Sequence, residues 1–267
     1  MTNEKAARYD QLIQAVFDNN YSAGSTSIEF ERTEIEAACA ALMIEIPKNI
    51  GDVIYTFRYR RPLPKSIRDR AADGKEWAIM PNGRAKYRFQ ETVATRILPT
   101  QGLVVTKIPD ATPEIVLANI LGDEQAVLAR IRYNRLIDLF LGVSAYSLQN
   151  HLRTTVVDLG QVEVDELYAA VNDHGVQYVV PVQAKGGNDQ IGIVQIQQDL
   201  AMCSEKFPTL IPRAVAAQSV GDVLVLFELT LENAEIRIVR ERQYRLVAAD
   251  EITQDDLDQY ASRSNDG

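Results

Sequence analysis

GQVEVDELYAAVNDHGVQYVVPVQAKGG, residues 160–187, decides how the rest of the chain is read. Val164 to Asn172 and Val176 to Lys185 alternate as two strands, separated by Asp173, His174 and Gly175. A three-residue hairpin loop closes on a glycine in the left-handed region, so Gly175 sets the register. Asn172 then meets Val176, Asp165 falls opposite Gln183, and Glu163 falls opposite Lys185. Side chains alternate faces along a strand. Glu163, Asp165, Gln183 and Lys185 therefore share one face and Glu166 turns to the other, a grouping that a one-residue slip undoes.

Val179, Val180 and Val182 mark the second strand as buried, so Lys185 at its end needs a charge partner or a chemical task. One reading is a salt-bridged strand end in which Lys185 neutralises Glu163. The other is chemical. A carboxylate and an amide oxygen at close range suit Mg²⁺, which prefers hard oxygen ligands and keeps several waters. Such an ion acidifies a bound water and offsets charge on a phosphodiester, and a neighbouring lysine positions or deprotonates that water.

Working outward, TPEIVLANILGDEQAVLARIRYNRLIDLFLG before this hairpin reads as two helical segments divided around Gly122-Asp123. Asp123 or Glu124 opens the longer one, near its positive end. Strand patterns follow at YSLQNHLRTTVV, at the hairpin itself and, after a helix at 192–206, at RAVAAQ, GDVLVLFELT and EIRIVRERQYRLV. Helix, three strands, helix and further strands predict a mixed α/β domain. The acidic tail from Asp250 is expected to fray. Gly186-Gly187 reads either as a strand-to-helix turn or as a close backbone approach to DNA, and it lacks phosphate-loop spacing. Gln195, Gln197 and Gln198 open the helix after the hairpin.

PTQGLVVTKIPDATP, residues 99–113, carries three prolines without helical periodicity and reads as a joint, dividing the chain into 1–105 and 106–267. In the first part Tyr9, Leu12, Ile13 and Val16 predict a helix over 4–18. A second helix is expected after Thr33, with Glu36 completing a capping box, and to end before Pro47. A third lies around 48–56, and EWAIMPNGRAKYRFQ predicts two strands about a Pro81-Asn82-Gly83 turn. Helices followed by a short hairpin suit a winged-helix-like module.

The chain has 267 residues, 46% hydrophobic and 24% charged, as ordinary globular proteins do, with a net charge of −9. That excludes a uniformly basic nucleic-acid coat protein but not a local basic surface. From Arg58 to Arg96, eleven Lys or Arg face four acids, with Tyr59, Trp77 and Tyr87 between them. Arginine with aromatic residues suits phosphate contact and stacking; a solvated charged face is the other reading. Two cysteines, Cys39 and Cys203, leave no disulfide framework or four-thiolate zinc site, and His151 and His174 stand in no metal-ligand spacing. The start, MTNEKAARYDQLIQ, lacks a signal-peptide layout, and no apolar run is long enough to span a bilayer. A reduced, cytoplasmic protein is expected.

The spacing D-x17-Q-A-K across the hairpin, followed by IVQIQQD on a helix, resembles the PD-(D/E)xK nuclease superfamily. Within it the chain is most similar to the Mrr-like restriction endonucleases, whose motif reads D…QxK. The likeness covers about residues 120–230, most specifically 160–200. It implies a mixed central sheet flanked by helices, with Asp165 as the metal-binding aspartate, Gln183 in the variable acidic position and Lys185 as the lysine. Glu124 matches the helix-borne glutamate of the family, and Glu163 is the alternative source of that carboxylate. Val164 replaces the proline of the motif, and Gln183 is a weaker ligand than a carboxylate.

The resemblance further implies a Mg²⁺-dependent type II restriction endonuclease acting on double-stranded DNA as a homodimer, beside a cognate DNA methyltransferase. The first part of the chain would be a DNA-binding region, with Arg58, Arg60, Arg61, Arg84 and Lys86 as contacts. Two further readings stand: a non-catalytic DNA-binding or assembly protein that keeps the nuclease fold, and a modification-dependent or repair nuclease.

Overall fold

Apolar residues three and four apart, Tyr9, Leu12, Ile13 and Val16, make one face of helix α1 (Asn3–Asn20) buried. The structure is a computed structural model describing residues 3–93, 96–187, 189–233 and 235–263, so residues 1–2 of the polar start and 264–267 of the tail lie outside it. The chain forms two compact units. One comprises Met1–Ile97, Thr154–Val162 and Gly192–Val194; the other comprises Leu98–Arg153, Glu163–Ile191 and Gln195–Gly267.

In the first unit α1 leads to β1 (Ser27–Glu31), α2 (Arg32–Ala41), α3 (Gly51–Tyr55) and α4 (Lys65–Arg68), then to the hairpin β2 (Glu76–Pro81) and β3 (Lys86–Thr92). The hairpin falls where the sequence predicts it. Strand β1 was not expected; it pairs antiparallel with β3, placing Ile28 beside Phe89 and Phe30 beside Tyr87, in the order β1-β3-β2. Helix α2 starts earlier than Thr33. Glu34 accepts the Glu31 N–H at 2.8 Å, so the capping residues are Glu31 and Glu34 rather than Thr33 and Glu36. The helix also stops at Ala41, short of Pro47. After Tyr55 the chain continues as one π-helical turn, Thr56–Arg60, closed by the Arg61 N–H on the Thr56 carbonyl at 2.8 Å. Single π turns of this kind are frequent at functional sites. Phe17 sits at the centre of the core, its ring 5.1, 5.3 and 5.0 Å from those of Tyr21, Trp77 and Phe89.

The second unit is built on a mixed eight-stranded sheet. Its main strands are β4 (Val105–Pro109), β5 (Ser144–Val156), β6 (Gly160–Val171), β7 (Gln177–Lys185), β8 (Ala214–Val220), β9 (Val223–Glu232) and β10 (Glu235–Val247). They lie in the order β4-β10-β9-β8-β7-β6-β5, and Ile211–Pro212 adds a short parallel pairing beside β7. Strand β4 occupies the stretch read as a joint and pairs parallel with β10. It is an edge strand, where Pro109 removes no bond the sheet needs. Before the sheet come α5 (Glu114–Leu117), α6 (Asp123–Tyr133) and α7 (Leu136–Leu141). The longer segment expected after Gly122 is broken between α6 and α7, where Arg135 takes a φ of 49°. Val127, Leu128 and Ile131 of α6 and Leu136, Ile137 and Phe140 of α7 pack on Tyr168, Val180, Val182 and Val215 of the sheet.

Helix α8 (Ile193–Lys206) connects β7 to β8, which run parallel with Val182 beside Val215, as a helical crossover allows. The tail does not fray at Asp250. It forms α9 (Gln254–Arg263), held to β4 by Tyr260 on the Lys107 N–H (2.9 Å) and by Asp256 on Lys107 Nζ (2.9 Å). No helix among the described residues is long and apolar enough to cross a membrane.

The hairpin that opened the reading takes the register its loop dictates: Glu166 pairs with Val182 and Val171 with Gln177. Gly175 has a φ of 79°, and the Asn172 side chain accepts the His174 and Val176 N–H groups at 3.1 and 2.9 Å. Gly175→Ala should therefore cost about 1 kcal/mol in urea unfolding, the penalty of a Cβ in the left-handed region. An unchanged midpoint would show that the loop does not demand that conformation.

Candidate functional site

The backbone ladder between β6 and β7 runs from Val171 and Gln177 to Glu166 and Val182. Beyond it a side chain supplies a further bond: Asp165 Oδ2 accepts the Ala184 N–H at 2.9 Å. Asp165 is thereby locked beside Lys185. Burial pushes the Asp165 carboxyl above its ordinary value, and the Ala184 N–H and the Lys185 charge offset only part of that.

Gln183 is buried on the same face. Its Nε2 donates to the Glu163 carbonyl and to Asp199 Oδ2 of α8, both at 3.0 Å, while its Oε1 has no hydrogen-bond partner among the described residues. A backbone carbonyl cannot donate, so the amide is oriented with its oxygen away from Glu163. Asp199 is fully buried, and desolvation holds its carboxyl well above the usual carboxylate range. Sequence reading missed Asp199. The available signal was an acid in the middle of the apolar stripe of α8, between Ile196 and Cys203, both buried.

The first turn of α6 meets the end of this hairpin with Asp123 and Glu124 and strand β5 with Gln125. Asp123 abuts Gly186, where an added Cβ would lie 2.4 Å from the Asp123 Cβ and 3.0 Å from its carbonyl carbon. Gly186 is thus a close-approach glycine facing a helix of this chain. Glu124 Oε1 takes Lys185 Nζ at 2.7 Å. Gln125 Nε2 lies 3.1 Å from His151 Nε2 of β5. Burial alone would lower the Lys185 pKa, but its bond to Glu124 and the charges of Glu124, Asp165 and Asp189 outweigh it, so the ammonium is held above its ordinary value.

The structure thus brings Asp165, Gln183, Lys185 and Glu124 to one end of the β6–β7 hairpin. Glu163 does not join them. Its carboxylate turns to Arg153 of β5 at 3.0 Å, both side chains well exposed, so the expected Lys185–Glu163 pair is replaced by Lys185–Glu124 and Arg153–Glu163. Neighbouring strand β5, absent from a two-strand register argument, supplies the competing cation. Glu166 faces the other side of the sheet, as its parity requires.

The five basic residues expected to contact DNA stand in three kinds of surroundings. Arg60 is exposed over the Tyr55 ring, 4.7 Å from its centroid, and Arg84 is exposed in the β2–β3 connection. Arg61 is tied to Asp10 at 3.1 Å and Lys86 to Glu31 at 3.3 Å. Arg58 stacks on Tyr59, with Nε and Nη2 buried and lacking a hydrogen-bond partner among the described residues.

Among the described residues no three His, Cys, Asp or Glu side chains gather as a metal-holding group. Mg²⁺ commonly takes only one or two protein carboxylates, completing its shell with water and phosphate. The unpartnered Oε1 of Gln183 and the second oxygen of Asp165 are hard donors that fit an ion of that kind. Compared with family models, curated proteins and solved structures, the chain matches none.

Proposed function

We propose that the chain is a Mg²⁺-dependent endonuclease of double-stranded DNA, of the type II restriction kind, with a PD-(D/E)xK-like core in its second unit. The observation that carries this reading is the meeting of Asp165 and Lys185 at one end of a registered hairpin, against the helix that bears Glu124. The order of α6 and α7, three strands, α8 and the parallel strand β8 supports the same reading. In the first unit, strand β1 closing the β2–β3 hairpin in company with helices α1 to α4 supports a winged-helix-like DNA-binding module. Arg60, Arg84 and Lys86 are its exposed contacts, and Arg58 and Arg61 its half-buried ones.

Asp165 and Gln183 would hold the ion, which when bound acidifies a water and offsets charge on the phosphodiester. Asp165 is fixed for that task by the Ala184 N–H, and Gln183 by the Glu163 carbonyl and Asp199. Lys185, kept charged by Glu124, acts as a placed ammonium that donates to water or to a phosphate oxygen. Glu124 orients Lys185 and gives it up when an anion arrives. Cutting both strands calls for two copies, and a cognate methyltransferase would protect host DNA.

Purified protein on supercoiled plasmid with Mg²⁺ tests this. The wild type should nick and linearise; Asp165→Ala and Lys185→Ala should not, while both still retard DNA in a gel. A wild type that yields no Mg²⁺-dependent product overturns the reading. Retained DNA binding would then favour the non-catalytic DNA-binding protein, which the glutamine at position 183 already makes the second reading. Cleavage of methylated plasmid alone would favour a modification-dependent nuclease.

A further inference from the structure

His151 lies in the interior of β5 yet takes a φ of 49°, in the left-handed region. Histidine enters that region more readily than most residues, but holding it there costs about 1–3 kcal/mol. The distortion lies next to the site. Arg153 meets Glu163 across β5 and β6 at 3.0 Å; His151 stands two residues before Arg153 and Asp165 two residues after Glu163. The His151 ring lies close enough to Asp165 to interact with its carboxyl.

The ring is also oriented. The Gln125 side-chain nitrogen faces His151 Nε2, so the ring tautomer that accepts there carries its proton on Nδ1. That N–H has no hydrogen-bond partner among the described residues, and the residue is exposed. One turn of α6 therefore steadies Lys185 through Glu124 and His151 through Gln125. A ring N–H cannot ligate a cation; what it can meet is an anionic oxygen.

We propose that His151 is a further substrate-contacting residue of this site, giving its Nδ1–H to a non-bridging oxygen of the phosphodiester. This rests on the nuclease reading above. The competing role is purely structural, a bulge that blunts an edge strand.

The test uses the full chain with ¹⁵N-labelled histidine. The chain has only His151 and His174, and His174→Gln assigns the signals. A short DNA duplex is added with Ca²⁺ in place of Mg²⁺, and plasmid cleavage is timed separately. His151→Gly keeps the backbone conformation while removing the ring. It should slow single-turnover cleavage about 100-fold, the usual loss for one placed donor. His151→Asn tolerates the same φ and puts an amide N–H near the Nδ1 position, so it should recover most of the rate. The His151 Nδ1 signal should move on adding duplex and the His174 signal should stay. Equal rates for wild type and His151→Gly, equal rates for the glycine and asparagine variants, or an unmoved Nδ1 signal would each overturn the proposal. A wild type that binds duplex without cutting sinks the nuclease reading instead, and the Nδ1 signal still decides the contact.

Discussion

Glu166→Ala is expected to remove about 3 kcal/mol of unfolding free energy, read as a lowered urea midpoint. Glu166 is fully buried on the face of β6 opposite Asp165, and its Oε1 takes Arg132 Nε at 2.7 Å and Ser147 Oγ at 3.2 Å. The Tyr168 hydroxyl is pushed up in pKa by burial and then by this carboxylate. Truncating one partner of a buried pair strands the other charge, at a cost of about 3–5 kcal/mol. Arg132 is 38% exposed, so water recovers part of that and the low end applies. Glu166→Gln keeps an acceptor for both donors and should fall between wild type and alanine. Glu166→Leu combined with Arg132→Met removes both charges, and should be more stable than Glu166→Ala alone. A midpoint for Glu166→Ala within about 1 kcal/mol of wild type would mean that the pair does not persist in solution.

Local sequence carried the hairpin because everything that sets its register lies within one loop: Gly175, the Asn172 side chain and two flanking alternations. Asp165 and Lys185 were legible for the same reason, sharing one hairpin and one face. Glu163 was misplaced because its partner, Arg153, comes from a third strand that a two-strand register does not contain. Strand β1 was missed for a related reason. Its SIEFE pattern is half polar, and its partner β3 lies some sixty residues on, so only the tertiary pairing of Ile28 and Phe30 makes it a strand. Strand β4 hides between prolines because an edge position tolerates them. The helix break at Arg135 has no glycine or proline to announce it. Asp199 and His151 are invisible to motif reading: each matters through what another element places beside it.

The remaining large effect belongs to Gly186. An alanine there would set its Cβ against the Cβ and backbone of Asp123, neither of which can swing aside as a flexible side-chain end can. The first turn of α6 must retreat, costing about 1–3 kcal/mol as overpacking does, and it takes Glu124 with it. Lys185 reports the result. Its side chain is 15% exposed, and burial is the largest influence on its pKa, overcome now only by the added bond and charge of Glu124 with help from Asp165 and Asp189. Without Glu124 two of the influences that raise it are gone and the ammonium pKa should fall. Gly186→Ala and Glu124→Gln should therefore move the Lys185 side-chain NMR titration in the same direction, downward.

The pH dependence of stability changes with it. In the wild type the raised pKa adds stability that is present below the unfolded value and lost only as alkaline pH passes the folded one. As the pKa falls that contribution shrinks, so the variants' urea midpoint should lose less than the wild type's between neutral and alkaline pH. Plasmid cleavage should drop about 100-fold in both variants, since the Lys185 ammonium is no longer held in place as a donor. If Glu124→Gln lowers the Lys185 pKa and Gly186→Ala does not, then α6 absorbs the extra methyl elsewhere and Gly186 is not what holds its first turn against the hairpin.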